Sequence, residues 1–484
     1  MGFARTTFLY FSPKVVTFAV SLAMVPITTA CLGVEDMGHI AILTAYGGLV
    51  VALATAGFNY MSLAHFIGLT KEEKPAYVTT LVTTGLVLIA GLVSLAGCAW
   101  GGLHPFLSYF ENTTGSEVAL VIGMAGALAC WSQVEPILIL ESRARWVAII
   151  SIIATVASAV ATVVGLYVLG IGRKAVLAGA LASALVLAVG GLAGVRHYLR
   201  PVWSRRWLTE LIQLSLLRAP QTLFDPLASM AERWMVVNWI SLGALGVYTH
   251  AQTYRTGLIA ALGAVAQTLQ PISLAEARQD IANFPRTRRA IHGITLALSL
   301  ASLGCALFGK EILGLMTHGK FVAAAPFVTC WIIYLTMQQT AREDVSILLT
   351  ANCRVFFSTA SILTQIANLV VMLCLIPVWG LWGIVAAVFT EIALFRLLLR
   401  WRAARLRTRP FHDGPVLRSL AVTLAALGAQ VFFADDLAMR SAAIALLAIA
   451  YASAERSSMV KFSRAAVNKF AQWSHRPDVL LPQP

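Results

Sequence analysis

Residues 146–169 read WVAIISIIATVASAVATVVGLYVL and contain no charged side chain. A helix rises about 1.5 Å per residue and the hydrocarbon core of a bilayer is roughly 30 Å thick, so about 20 apolar residues are enough to cross it. A helix also satisfies its backbone hydrogen bonds internally, as a segment in lipid must. The stretch therefore predicts a membrane-spanning helix, flanked by Arg143 and Arg145 on one side and Arg173 and Lys174 on the other.

The rest of the sequence repeats this pattern. Of its 484 residues, 58% are hydrophobic and only 12% are charged, and the mean hydropathy is +0.78. Soluble globular domains carry about 25% charged residues. Most of the chain divides into apolar runs of spanning length, which predicts an all-α polytopic membrane protein with about fourteen transmembrane helices.

The net charge of +14 does not indicate nucleic-acid binding. Such binding needs basic residues clustered on a folded soluble module, and no segment here is polar enough to form one. The seven cysteines are scattered in or beside apolar stretches, without paired spacing or nearby histidines. We interpret them as small core residues, and we expect neither disulfides nor a metal site.

The basic residues are distributed asymmetrically between the two sides of the membrane. With the N-terminus placed inside, 26 of the 36 Lys and Arg residues fall in inside segments, five fall outside and five lie within spans. Lys and Arg accumulate in cytoplasmic loops of membrane proteins. This bias predicts an even number of spans, with the N- and C-termini both cytoplasmic.

Two halves of the chain resemble each other. The segment LGVEDMG ending at Gly38 is echoed by LGALG ending at Gly246, 208 residues later, and LGIG around Gly170 is echoed by WGLWG around Gly380. Internal repeats of this kind are typical of transporters. We therefore divide the chain into an N-terminal six-helix lobe at 1–200, a C-terminal six-helix lobe at 201–410, two additional transmembrane helices at 411–455 and a cytoplasmic basic amphipathic tail at 456–484.

Motifs of soluble enzyme chemistry are missing from the sequence. No stretch matches a phosphate-binding loop, a dinucleotide fingerprint, a zinc-protease pair or a nucleophile elbow. The loops between spans are too short to hold a catalytic domain. We predict no catalytic residue, no cofactor and no ATP-driven transport by this chain alone.

Ionisable residues inside the spans are the candidates for function, because each costs at least about 2.5 to 3.5 kcal/mol at the bilayer centre. Four basic residues are predicted to bind an anionic substrate: Arg255, which lies deepest, with Lys14, Arg218 and Arg342. The alternative for Lys14 and Arg218 is that their long side chains simply reach the cytoplasmic interface.

Three acidic residues are predicted to couple transport to an ion: Asp225, Glu135 and Asp344. Asp225 and Glu135 stand next to prolines, which disturb the helix and can expose polar backbone to a cavity. Two structural alternatives remain open. Asp225 and Arg255 could neutralise each other, and the acidic residue Glu343 could serve as a partner of Arg342.

Four segments together resemble the polysaccharide exporters of the multidrug/oligosaccharidyl-lipid/polysaccharide (MOP) flippase superfamily. They are LGVEDMG at 32–38, the stretch from Gly243 through Tyr248 to Tyr254, GKFVAAAP at 319–326 and IPVWGLWG at 376–383. The resemblance implies a MATE-like fold with two pseudo-symmetric six-helix lobes around a central cavity. It also implies a bacterial inner-membrane location.

Members of this family flip an undecaprenyl-pyrophosphate-linked oligosaccharide, an O-antigen or exopolysaccharide repeat unit, across the inner membrane by alternating access. The resemblance therefore implies a lipid-linked oligosaccharide as the substrate, with anionic membrane lipids, a polysaccharide polymerase and export proteins as partners. The alternatives are a lipid II flippase and a cation-coupled drug exporter of the same superfamily. A membrane-embedded glycosyltransferase would need a large extramembrane loop with catalytic carboxylates, which the sequence lacks.

Overall fold

The computed structural model describes residues 3–55, 66, 69–103, 113–141, 143–280, 284–351, 353–406 and 414–455. Within these ranges the secondary structure is helical, with no strand, as the sequence predicts. The predicted amphipathic tail at 456–484 lies outside the described residues.

The α-helices follow one another closely, and most are long enough to cross a bilayer. In chain order they are α1 (Phe3–Cys31), α2 (Val34–Thr55), α3 (Glu73–Leu103), α4 (Gly115–Leu140), α5 (Ala144–Val163), α6 (Arg173–Val195), α7 (Arg205–Trp239), α8 (Leu242–Gln279), α9 (Pro285–Met316), α10 (Ala325–Thr340), α11 (Arg342–Thr350), α12 (Arg354–Trp379), α13 (Leu381–Ala404), α14 (Gly414–Phe432) and α15 (Leu437–Ala454). A π-helical turn, Val164–Val168, extends α5.

Among the described residues, 12 helical segments are both long and apolar enough to span a membrane, with α10 and α11 counted as one. The helices α7 and α8 have 35 and 38 residues, but they carry several charged side chains and fall outside this set. The predicted number of fourteen therefore stays a prediction. Large apolar side chains such as Val168 and Leu446 are exposed on the helices, as lipid-facing residues would be.

Contacts group the helices into two compact units. Unit 1 comprises Met1–Gln270, Glu311–Ala324 and Arg354–Phe395, and unit 2 comprises Pro271–Lys310, Ala325–Cys353 and Arg396–Pro484. The core of unit 1 includes Tyr77, Trp131 and Trp207. In unit 2, Leu303, Ala426 and Ile444 pack α9 against α14 and α15. The lobe limits predicted from the sequence stay a prediction.

The repeated glycines bring the first turns of α2 and α8 together. A Cβ atom on Gly38 would lie 2.3 Å from the carbonyl oxygen of Leu242, and one on Gly246 would lie 1.8 Å from the carbonyl oxygen of Val34. Only glycine permits so close an approach. The contact is reciprocal, since the same 208-residue offset relates both pairs, and it is the arrangement that two repeats related by a twofold axis would produce.

The second pair of repeated glycines has a common backbone conformation. Gly170 has φ 61° and Gly380 has φ 56°, both in the left-handed region that glycine adopts without a steric penalty. Each ends a tight turn between two long helices, before α6 and before α13. The echo between LGIG and WGLWG therefore corresponds to a shared turn.

Candidate functional site: a charged cluster in unit 1

Arg255 belongs to a charged cluster formed by three helices of unit 1. Its half-buried side chain on α8 acts electrostatically on Glu391 of α13 and on Glu232 of α7. One turn earlier on α8, Nε2 of Gln252 donates a hydrogen bond to Oε1 of Glu232 at 3.3 Å. We call these residues, together with Asp225, the α7–α8–α13 cluster.

Asp225 belongs to the cluster through a different partner. It lies two turns before Glu232 on α7, so both carboxylates share one face of that helix. Nε2 of Gln365 on α12 donates a hydrogen bond to Oδ1 of Asp225, and Asp225 also acts electrostatically on Glu391. The next residue, Pro226, has no N–H and so interrupts the helical hydrogen bonding beside the carboxylate.

Lys14 and Glu135 form a second pair of opposite charges in unit 1. They lie on α1 and α4 and interact electrostatically, and the Trp131 indole hydrogen-bonds to the Glu135 carboxylate. Nζ of Lys14 lies 3.8 Å from the position of a Cβ atom on Gly263 of α8. Gly263 follows Arg255 by eight residues, about 12 Å along the helix. The amino group of Lys14 thus lies beside the same helix that carries Arg255.

The backbone of Arg218 is part of α7, and its side chain lies outside the described residues. Its role as a substrate ligand stays a prediction.

The other predicted residues belong to unit 2, where α11 begins. Nε of Arg342 donates a hydrogen bond to Oε1 of Gln339. The fully buried carboxylate of Asp344 accepts a hydrogen bond from Nε of Arg400 on α13 at 3.0 Å. Asp344 therefore has an arginine partner 56 residues away in sequence.

Glu343 of unit 2 also has a distant arginine partner. Nη2 of Arg288 on α9 lies 2.8 Å from its Oε1 atom. The sequence suggested the adjacent Arg342 as a partner for Glu343, and the structure supplies Arg288 from another helix.

Sequence reasoning overlooked four members of the α7–α8–α13 cluster and its surroundings: Glu232, Gln252, Gln365 and Glu391. Glu232 and Glu391 are carboxylates inside long helices, which is the same signal that identified Asp225. Glu232 is adjacent to Arg233 in sequence and so suggests a local pair. In the structure the two side chains interact electrostatically, and Nη1 of Arg233 also donates to the carbonyl oxygen of Ala41 on α2.

Comparison with known proteins gives a family and a fold. The family model described as "Polysaccharide biosynthesis protein" matches residues 29–326. No curated protein matches the sequence. The solved structure of the lipid II flippase MurJ in an inward closed conformation is similar, with a TM-score of 0.70 at 11% identity over 94% of this chain and 100% of that chain.

Two transporters of the MATE family have the same fold. An inward-facing multidrug resistance MATE transporter of the MOP superfamily gives a TM-score of 0.63 at 14% identity, over 83% of this chain and 98% of that one. The eukaryotic MATE transporter AtDTX14 gives 0.56 at 10% identity, over 87% and 98%. The family model covers more than half of the chain, so this multi-pass membrane protein belongs to the polysaccharide biosynthesis protein family and has the MATE-like fold of MOP-superfamily flippases and transporters.

Proposed function

We propose that this protein is a flippase that moves an undecaprenyl-pyrophosphate-linked oligosaccharide, an O-antigen or exopolysaccharide repeat unit, outward across the bacterial inner membrane by ion-coupled alternating access. The family match and the fold support a membrane flippase. The placement of Arg255 among ionisable groups on three helices is the observation that supports an anionic substrate.

A pyrophosphate is poorly tolerated in hydrocarbon unless protein donors replace its hydration. The guanidinium group of Arg255 can offer two parallel N–H donors to phosphate oxygens, and such charge-assisted bonds are among the strongest in proteins. Lys14, beside the same helix, supplies a second positive charge. The prenyl tail of the substrate stays in the bilayer meanwhile.

Release of the substrate requires the grip of Arg255 to weaken at one stage of the cycle. Glu391 and Glu232 act electrostatically on Arg255, so they compete with the pyrophosphate for the same guanidinium. When these carboxylates are protonated, Arg255 is available to bind the substrate. When they are charged, they attract Arg255 and favour release of the substrate. Asp225 and Glu135 join them as coupling residues in this proposal.

Asp344 is the weakest of the predicted coupling residues. Its buried carboxylate is paired with Arg400, and breaking a buried pair of this kind is expensive. We keep Asp344 as a coupling candidate, after Asp225 and Glu135.

Export of a cationic drug is the second candidate, because three carboxylates, Asp225, Glu232 and Glu391, lie near one arginine. A cluster with an excess of acidic groups attracts a lipophilic cation as well as a proton. The two candidates predict opposite effects of removing the arginine: export of an anion is lost, whereas export of a cation is retained or improved.

The experiment replaces Arg255 by Gln and by Lys in cells whose surface glycan depends on this protein. Arg255→Gln should abolish the surface glycan and leave the lipid-linked unit accumulated inside, at normal protein levels. Arg255→Lys should retain part of the export, because the charge survives but the two-pronged donor does not. Arg206→Gln is the matched control, since Arg206 is exposed and pairs with Glu210 one turn away.

Normal export by both Arg255 variants would show that the pyrophosphate site lies elsewhere. Unchanged glycan together with altered resistance to lipophilic cations would favour the second candidate. For the lipid II alternative, accumulation of lipid II instead of the oligosaccharide unit identifies the substrate.

The location and partners are part of the same proposal. We place the protein in the bacterial inner membrane with both termini in the cytoplasm, and its basic loops contact anionic lipids. Reporter fusions after Arg205 and Arg407 should give cytoplasmic signals, and a periplasmic signal at either position contradicts the topology. Co-purification with the polysaccharide polymerase and export proteins tests the predicted partners.

A further inference from the structure

Three of the sequence motifs meet at one end of unit 1 and have no role in the proposed transport so far. They are LGVEDMG at 32–38, the stretch that begins at Gly243 and GKFVAAAP at 319–326. The reciprocal contact of Gly38 with Leu242 and of Gly246 with Val34 joins the N-terminal ends of α2 and α8. The loop that follows α9 contacts the C-terminal end of α1, just before α2 begins. Each of these segments lies on the side that the charge distribution predicts to face outward.

Lys320 joins this loop to the C-terminal end of α1. Its Nζ atom donates hydrogen bonds to the carbonyl oxygens of Thr29 at 2.7 Å, Ala30 at 3.3 Å and Leu32 at 3.2 Å. The last carbonyls of a helix have no partner within it, and a positive charge there is also favoured by the helix dipole. The ammonium group of Lys320 thus caps α1 from a distant part of the chain.

The backbone around Lys320 is shaped for this contact. His318 and Gly319 have φ values of 52° and 80°, so the chain reverses tightly after α9. The hydroxyl of Thr29, which donates to the carbonyl oxygen of Val25 at 2.8 Å, also lies 3.3 Å from the carbonyl oxygen of Met316. The end of α1 therefore contacts both the last residue of α9 and the loop that follows it.

The next residue fixes the other side of the loop to α8. Phe321 is fully buried and its ring stacks on His250, with centroids 4.4 Å apart and an interplanar angle of 29°. Nε2 of His250 lies 3.2 Å from the hydroxyl of Tyr254, one turn further along α8. Phe321 is thus a buried anchor, whereas Lys320 is an exposed side chain that can release its acceptors.

We propose that Lys320 is a latch that holds the outward side of unit 1 closed. The latch joins α1, from the predicted N-terminal lobe, to the loop after α9, from the predicted C-terminal lobe. Opening toward the outside separates these segments, so Lys320 must leave the three carbonyls at that step. The inference rests on the proposed alternating-access transport, in which the outward side opens once in each cycle.

The test measures closure directly, by cross-linking two cysteines across the glycine contact. A Cβ atom on Gly243 would lie 3.6 Å from Cγ2 of Val34, so cysteine side chains at these two positions would be in contact. The paired substitutions Val34→Cys and Gly243→Cys are made in the full chain with its seven native cysteines replaced. The rate of disulfide formation under a mild oxidant then reports the closed state.

Lys320→Met should lower the cross-linking rate about threefold to tenfold, because it removes charge-assisted hydrogen bonds from a partly exposed site. Lys320→Arg, which keeps the charge and the donors, should cross-link at the native rate. Lys310→Met is the matched control: Lys310 is another outward lysine, and it donates to Ala434 and Asp435 within unit 2. Its loss should leave the rate unchanged.

A native cross-linking rate in Lys320→Met overturns the latch, whatever happens to transport. Equal slowing in Lys320→Met and Lys310→Met also overturns it, since the effect is then general. Lys320→Gln, which can reach at most one carbonyl, replaces the Met variant if that protein does not elute as a single species in detergent. The cross-linking assay needs no substrate. Its outcome therefore does not depend on whether Arg255→Gln abolishes the proposed flippase activity, and the two proposals can fail independently.

Discussion

Carboxylates inside the helices of the two units are held in two different ways. In unit 2, Glu343 and Asp344 accept hydrogen bonds from the guanidinium groups of Arg288 and Arg400 at 2.8 and 3.0 Å. In unit 1, Glu232 and Asp225 accept hydrogen bonds from the side-chain amides of Gln252 and Gln365. The first arrangement supplies a full positive charge directly, and the second supplies a neutral donor.

The difference matters for a carboxylate that has to change its protonation state. A guanidinium group has only donors and stays charged, so it favours the carboxylate form alone. A glutamine amide carries both an NH₂ donor and a carbonyl acceptor, and by rotating it can bond a charged or a protonated carboxyl group. We therefore expect carboxylates that are bonded to arginine to serve mainly stability, and carboxylates that are bonded to glutamine to serve mainly transport.

The largest expected effect is that of breaking the Asp344–Arg400 pair. Asp344→Asn removes the negative charge that faces the guanidinium of Arg400, whose side chain is 19% exposed. Removing one member of a buried pair typically costs about 3 to 5 kcal/mol of folding free energy. Denaturant unfolding in detergent should show this loss, and the double variant Asp344→Asn with Arg400→Gln should recover part of it. A loss below about 1 kcal/mol would contradict the structural role, because that is the size typical of exposed pairs.

Breaking the Glu343–Arg288 pair should have a smaller effect. The Arg288 side chain is 30% exposed, so water replaces part of the lost interaction. Glu343→Gln should cost about 1.5 kcal/mol, near the lower limit for hydrogen bonds to charged groups. The same unfolding measurement ranks it against Asp344→Asn, and a reversed order would refute the argument from burial.

Neutralising either of the glutamine-bonded carboxylates of unit 1 should leave stability nearly unchanged and alter transport. Glu232→Gln and Asp225→Asn keep a hydrogen bond to the neighbouring glutamine, so each should cost less than about 1 kcal/mol. Export should lose its dependence on pH, because the group that exchanges a proton is gone. Uptake of the lipid-linked oligosaccharide into inverted vesicles over a series of pH values measures this. A pH profile like that of the native protein would exclude both residues from coupling.

The sequence predicts some of these features and conceals others for physical reasons. Arg255 is visible because a charge in an apolar helix is costly wherever its partners lie. Glu391 carries the same signal, but its interaction with Arg255 cannot be read from the sequence, because only the folded chain brings α13 to α7 and α8. In the same way, the pairing of Asp344 with Arg400 becomes visible only in the folded chain, and the coupling role of Asp344 stays a prediction. The all-helical fold follows from composition alone, whereas pairing between helices depends on long-range contacts.

Glu141 allows the same rule to be tested outside the membrane-spanning segments. It follows α4, and its Oε2 atom lies 3.1 Å from Nε of Arg143 and 3.5 Å from Nε2 of His197. The hydroxyl of Tyr198, just after α6, donates a hydrogen bond to the same carboxylate. A carboxylate held in this way should resist the appearance of a second negative charge beside it.

The smallest predicted effect is on stability in alkali. Burial, and then the hydrogen bond and charge of Glu141, raise the pKa of Tyr198 to about 12, whereas an unfolded tyrosine has a pKa of about 10. As pH rises through this window the unfolded chain releases its proton first, so the folded state loses stability, and the contribution is complete below the lower value. Tyr198→Phe should unfold with a shallower pH dependence in this window, although ten other tyrosines remain. The difference in alkaline absorbance between the native and Phe proteins isolates this one hydroxyl, and identical unfolding curves for the two would show that Glu141 exerts no such hold.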